Sequence, residues 1–277
     1  MPTREPFSWT NSGGLTLRGI KWSIQQARGV VVIVHGQGEH MGRYEHVAVW
    51  FNNQGFQVVI FDQQGHGISA GVRGHAPGLA SLMEDVESVV ALARAAYPGI
   101  PIFLYAHSMG GNIALNVVLR RRPDIAGAVI SAPWIRLAFE APAIKVMLGY
   151  ALKKFLPGLT MPNGIHARFI SRDEKVVERY KSDPLVHAKI SAAAGIALLE
   201  GAGWLDKYEG PIPVPLLIMH GGADRLTSMP ASRAFAGRQA SQVDFVEWPG
   251  LYHEIHNEPE QVEVLQAATD WLLRHCS

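Results

Sequence analysis

At 277 residues the chain is long for one compact domain and short for two full ones, so one α/β domain with an insertion is expected. Its 48% hydrophobic and 18% charged residues support a sizeable core and exclude disorder, and a net charge of +1 gives no electrostatic footing for nucleic acid. The lone cysteine, Cys276, excludes an internal disulfide and a cysteine-based metal cluster. The N-terminus lacks the charged-then-apolar pattern of a secretory signal, and no window approaches the roughly 20 apolar residues that span a bilayer. A cytoplasmic protein is expected, with room for contact at a membrane surface.

In chain order, Phe7–Trp9 and Leu15–Trp22 flank Asn11-Ser12-Gly13-Gly14, which reads as a β-hairpin turn. Val30–Val34 is a β-branched run of the kind buried on both faces of a parallel sheet. A helical segment over Tyr44–Asn53 leads to a second buried strand, Phe56–Phe61. Leu82, Val86, Val89, Val90 and Ala93 recur at helical spacing within Leu79–Tyr97, which ends at Pro98-Gly99. A strand over 102–106, a helix over 109–122 and a strand over Gly127–Ser131 follow, an alternation that indicates a mostly parallel sheet covered by helices.

The rhythm breaks after Pro133. Residues 134–208 hold no buried strand but several helical patterns, among them Ala143–Phe155. The sheet resumes at Pro215–Met219 and Val243–Glu247, and a final helix runs from Pro259 to Arg274. Residues 1–133 and 209–277 are therefore expected to form the core, and 134–208 a helical cap at the sheet edge where ligands bind in open α/β folds.

Three sites past strand ends carry the chemistry. Tyr105-Ala106-His107-Ser108-Met109-Gly110-Gly111 places a serine at a strand-to-helix turn with glycines behind it, the pattern of a nucleophile elbow. His220-Gly221-Gly222-Ala223-Asp224 and Trp248-Pro249-Gly250-Leu251-Tyr252-His253 follow the last two strands. Asp224 or His253 alone would pass for a turn former or a structural histidine. The order Ser108, Asp224, His253 is that of the α/β-hydrolases. Ser108 is a poor nucleophile until His253 takes its proton, and Asp224 would orient and stabilise the imidazolium. The oxyanion needs donors, and the backbone N–H groups of Met109 and of Gln37, in His35-Gly36-Gln37-Gly38-Glu39-His40, are the candidates. No metal or cofactor is implied, because the twelve histidines show no zinc-type spacing.

These segments resemble the monoacylglycerol lipases, within the serine-aminopeptidase-like and lysophospholipase-like α/β-hydrolases. Gly38-Glu39-His40-Met41-Gly42-Arg43-Tyr44, Gly65-His66-Gly67, His107-Ser108-Met109-Gly110-Gly111, Ser182-Asp183-Pro184-Leu185, Gly222-Ala223-Asp224-Arg225-Leu226 and Tyr252-His253-Glu254-Ile255-His256-Asn257-Glu258 carry the resemblance. It implies a serine hydrolase that cleaves monoacylglycerols to glycerol and fatty acid through an acyl-enzyme. It further implies a polar glycerol end formed by Glu39, Arg43, His256 and Tyr180. Glu39 and Arg43, four apart at a helix start, would serve equally as a structural ion pair. The cap's stripe of Ile144, Met147, Leu148, Leu152 and Phe155 reads as core, with part of it lining an acyl pocket or touching lipid. Ala106 stands in place of the first glycine of Gly-x-Ser-x-Gly, and Gln63-Gln64 in place of a different polar pair. A lysophospholipase, a broad carboxylesterase, a polyester depolymerase and, more remotely, a non-catalytic binding protein share the same scaffold.

Overall fold

The computed structural model describes residues 3–140, 142–239 and 241–276. A hairpin of β1 (Thr3–Thr10) and β2 (Thr16–Ser23) opens the chain, followed by β3 (Gly29–Val34), α1 (Glu45–Asn53), β4 (Phe56–Asp62), α2 (Leu79–Ala96), β5 (Ile102–His107), α3 (Met109–Arg121) and β6 (Gly127–Ser131). An intervening segment adds α4 (Ala143–Phe155), β7 (Thr160–Pro162), α5 (Glu174–Ser182), β8 (Lys189–Ser191) and α6 (Ala192–Asp206). The chain then returns through β9 (Leu216–Gly221), α7 (Met229–Arg238), β10 (Val243–Trp248) and α8 (Gln261–Arg274).

Eight strands form one sheet in the order β1-β2-β4-β3-β5-β6-β9-β10, antiparallel across the first two pairings and parallel from β4 onward. This is the α/β-hydrolase fold. Alternate residues of the central strands feed opposite faces, as the two-residue period of a strand requires. Val30, Val32, Leu104 and Ile130 join the helices α2, α3, α6 and α7 on one side. Val31, Ile33, Phe103 and Tyr105 meet α1 and α8 on the other. Covered on both faces, these strands carry continuous apolar runs rather than alternation.

Parallel strands end on the same edge, so the loops after β3, β5, β9 and β10 converge, and Ser108, Asp224 and His253 arrive at one place. Over this edge lies the intervening segment. Its β7 and β8 pair antiparallel, Thr160 opposite Ser191. Helix α6, apolar on nearly every side, is buried against α2, α3 and α7 below and α4 above. Gly149 lets α4 approach α6: a Cβ there would lie 2.9 Å from Ile196 Cδ1.

Candidate active site

Ser108 sits between β5 and α3 with φ 55° and ψ −115°, a strained backbone for a residue with a Cβ. Three hydrogen bonds hold it there: its N–H donates to the Ser131 carbonyl (3.0 Å), and its carbonyl accepts from Asn112 (3.0 Å) and Trp134 (3.1 Å). Gly110 is required by the same turn, since a Cβ would lie 2.2 Å from the Val34 carbonyl oxygen. Ala106 is accommodated as a fully buried residue of β5.

His253 Nε2 lies 2.8 Å from Ser108 Oγ, and its Nδ1 lies 2.7 Å from Asp224 Oδ2. Asp224 is itself fixed by its loop. Its Oδ1 accepts the N–H groups of Leu226 (2.7 Å) and Thr227 (3.1 Å), and Oδ2 also faces Thr227 Oγ1 (2.9 Å) and His220 Nε2 (3.0 Å). Burial alone would push the Asp224 carboxyl up. The His253 charge and the donors from both histidines outweigh it and hold the group well below the usual carboxylate range. Burial likewise opposes charge on His253, but Asp224 prevails and the imidazole is raised above its ordinary value. His107 packs 4.7 Å from the His253 ring, and burial, with the neighbouring His253, brings it down to about 3, so it stays neutral.

The loop after β3 faces the serine. Gly36 passes so close that a Cβ would lie 3.3 Å from Ser108 Cβ. Among the described residues the backbone N–H groups of Gln37 and Met109 donate to no other protein group. The loop is tied to the intervening segment: Gln37 Nε2 donates to the Lys189 carbonyl (2.9 Å), the Gly38 carbonyl accepts from His187 (2.8 Å), and His40 Nε2 lies 2.8 Å from Asp183 Oδ2. Gln63 secures the base of the loop, donating its backbone N–H to His35 Nε2 (3.0 Å) and its side-chain Nε2 to the His35 carbonyl (2.7 Å). That gives Gln63 a physical role, while Gln64 bonds Ser81.

Glu39 and Arg43 form the ion pair, and Glu254 completes it. Arg43 Nη1 reaches Glu39 Oε2 (2.5 Å) while both its terminal nitrogens engage Glu254 (2.8 and 2.7 Å). Glu39 Oε1 also accepts from the Gly36 N–H (2.6 Å) and the Tyr44 hydroxyl (2.7 Å). Burial raises Glu39; it would raise Glu254 too, but Arg43 holds that carboxyl at about 2. Tyr180 lies under the Arg43 guanidinium (4.8 Å) and, with Glu39, Glu254, Ser108 and His253, lines a small polar recess beside the serine.

Two expectations are corrected. His256 does not reach that recess. A 3₁₀ turn over Ile255–Asn257 directs it inward, where it is fully buried between Tyr44 (4.9 Å) and His107 (4.9 Å). Nor do the α4 residues line an acyl pocket. Ile144 (72% exposed), Met147 (68%) and Leu148 (53%) sit on the outer face and Leu152 is half-buried, because α6 occupies the inner one. The cavity above Ser108, about 200 Å³, is walled instead by Trp134, Leu137, Phe139, Ile165, Ile190 and Leu226. Glu254, Asp183, His220 and Thr227 are site-forming residues to which the sequence assigns no role. Only their proximity to His253 and Asp224, or to the Ser-Asp-Pro-Leu segment, marked the first three.

Residues 25–260 match the profile of the family described as Serine aminopeptidase, S33. A monoacylglycerol lipase of Mycolicibacterium smegmatis is 37% identical over 99% of this chain and 98% of its own. The crystal structure of the Paleococcus ferrophilus monoacylglycerol lipase superposes with a TM-score of 0.85 at 32% identity, covering 99% of each chain. An uncharacterised abhydrolase domain-containing protein of Dictyostelium discoideum is 38% identical over 87% of this chain, which spans only 26% of that longer protein. The chain belongs to the serine aminopeptidase S33 family, alongside the monoacylglycerol lipases, and is a lipase/esterase on the α/β-hydrolase fold.

Proposed function

We propose that the chain hydrolyses monoacylglycerols to glycerol and a fatty acid, with Ser108 as nucleophile, His253 as general base and then acid, and Asp224 as the orienting carboxylate. Ser108 Oγ attacks the ester carbonyl as its proton passes to His253 Nε2. The developing oxyanion takes hydrogen bonds from the Gln37 N–H in the loop after β3 and the Met109 N–H at the start of α3. Collapse of the tetrahedral intermediate passes the proton from His253 to the glycerol oxygen and leaves the acyl group on Ser108. Water then repeats the sequence and releases the fatty acid.

The observation that carries this reading is the line of hydrogen bonds Ser108–His253–Asp224 placed between two unlike spaces. One is an apolar cavity suited to an acyl chain, and the other a recess of about 10 Å³ beside Glu39, Tyr180 and Glu254, with room for a single hydroxyl oxygen. Arg43 is consumed by two carboxylates, so a phospholipid's phosphate finds no free cation there. Residues 134–208 serve as the cap, and the exposed apolar face of α4 supports contact with a lipid surface. No helix among the described residues is long and apolar enough to cross a membrane, and we place the enzyme in the cytoplasm, at the membrane face.

A matched panel of 1- and 2-monoacylglycerols, lysophospholipids, triacylglycerols, short p-nitrophenyl esters and a polyester tests the proposal, with Ser108→Ala as the blank. Monoacylglycerols should turn over fastest, and Ser108→Ala should lose about 10⁴-fold or more. Faster turnover of lysophospholipids would transfer the assignment to that class.

A further inference from the structure

The hydrogen bonds of the site do not stop at Asp224. Beyond it the pattern repeats in mirror order: Asp224 Oδ2 lies 3.0 Å from His220 Nε2, and His220 Nδ1 lies 2.9 Å from Ser232 Oγ on α7. The five residues read Ser108, His253, Asp224, His220, Ser232, with one carboxylate between two imidazoles. His220 and Ser232 are wholly buried at the end of β9 and on α7, and neither reaches the cavity.

Elementary chemistry settles which nitrogen of His220 carries the proton. Its Nε2 faces an ionised carboxylate oxygen and the Thr227 carbonyl (3.3 Å), both of which only accept. Nε2 must therefore be the donor. Nδ1 in turn meets the Ser232 hydroxyl, which can donate to it or accept from it.

We propose that His220 is a positioning residue of the triad, an imidazole whose Nε2–H grips Asp224 on the side away from His253. The proposal rests on the reading of Ser108, His253 and Asp224 as nucleophile, base and acid. A donor on that side orients the carboxylate for the His253 Nδ1–H. It also shares the carboxylate's negative charge, so Asp224 draws the proton of His253 less strongly and the base stays free to lower pH. Other charges around the pair are fixed by their own partners. Glu247, in register with His220 on β10, is paired with Arg233 of α7. Glu39 and Glu254 share Arg43 on the far side of His253, and His107 on β5 is neutral.

The test is the pH dependence of kcat/KM on a soluble p-nitrophenyl ester, with activity normalised to Ser108 sites titrated by a fluorophosphonate. Its acidic limb reports the base of the free enzyme. His220→Phe fills the space without a donor and should move that limb upward by about half a pH unit or more while kcat falls roughly tenfold. His220→Gln, which keeps a side-chain N–H at similar reach, should bring the limb back toward the wild-type position. A residue that merely fills space would change the melting temperature and leave the limb in place. A folded, probe-reactive His220→Phe with an unmoved limb overturns the proposal. If His220→Phe does not fold, the smaller His220→Ala, which also lacks a donor, serves instead: it should shift the limb the same way, and an unmoved limb there overturns it equally. A wild-type enzyme inert on every ester and unlabelled at Ser108 overturns the triad reading and this proposal together.

Discussion

His253 is poised by a contest between burial and one carboxylate. Taking the imidazole out of water disfavours its cation, yet Asp224 at 2.7 Å more than restores it. A base with a raised value loses activity as pH falls through that value, so the acidic limb of kcat/KM should lie above the ~6.5 of a free imidazole. The same shift contributes stability below the unfolded histidine value and loses it as pH rises through the folded one. Asp224→Asn keeps the shape but cannot hold the imidazolium, and kcat should drop about 10⁴-fold with little loss of folding, measured by single-turnover kinetics beside thermal melts. Arg43 is the opposite case, a residue whose worth lies in stability. It neutralises Glu39 and Glu254, all three nearly buried, and Arg43→Met would leave two carboxylates to repel each other out of water. A loss of about 3–5 kcal/mol in urea unfolding at neutral pH is expected. Because Arg43 holds Glu254 at about 2, that residue's contribution is present above the unfolded carboxyl value and disappears only as pH falls through the folded one.

Among elements, the loop after β3 has the most exacting position, because it faces Ser108 on one side and the 183–191 stretch on the other. Gly38 makes the second contact possible. Its φ is +77°, and a Cβ would lie 2.3 Å from the His187 carbonyl oxygen. Gly38→Ala must displace either the loop or the stretch that covers it, moving the Gln37 N–H away from the position proposed for the oxyanion. Turnover should fall more than tenfold while the melting temperature changes by a few degrees, a split that steady-state kinetics and calorimetry read together. The strands that set this geometry were legible in sequence because runs such as Val30–Val34 are buried on both faces and admit no other reading. Ser108, Asp224 and His253 were legible for the same reason: each follows a strand whose end the pattern marks. Glu254 was not, since its partner Arg43 lies 211 residues away and nothing local to either announces the pair. The three-residue strands β7 and β8 are too short to show a period. His256 is set by the direction of a 3₁₀ turn, which spacing from His253 does not encode.

Across the whole molecule, the apolar stripe of α4 shows what periodicity leaves open. A helical repeat of Ile144, Met147, Leu148 and Phe155 marks one face, but whether that face meets protein, substrate or surroundings depends on what the rest of the chain already covers. Here α6 takes the inner side of α4, and the outer residues stand open, Phe155 at 73%. They stand on the same segment whose Pro162, Ile165 and Ile190 wall the cavity over Ser108, so on the proposed reading a lipid surface meeting them would bring an ester in the bilayer toward the site. Each large side chain transferred from water contributes about 1.5–3 kcal/mol, and two or three are enough for reversible attachment. Lys154 at the last turn of α4, beside the Phe155 ring, adds attraction to anionic lipid. The double variant Met147→Glu and Leu148→Glu should therefore lose most of its co-sedimentation with phosphatidylcholine–phosphatidylglycerol vesicles. Turnover of vesicle-borne monoacylglycerol should fall with it, while a soluble short-chain p-nitrophenyl ester is cleaved at the wild-type rate because neither residue touches the cavity. Equal losses on both substrates would instead mean that α4 supports the roof of the site rather than its approach to lipid.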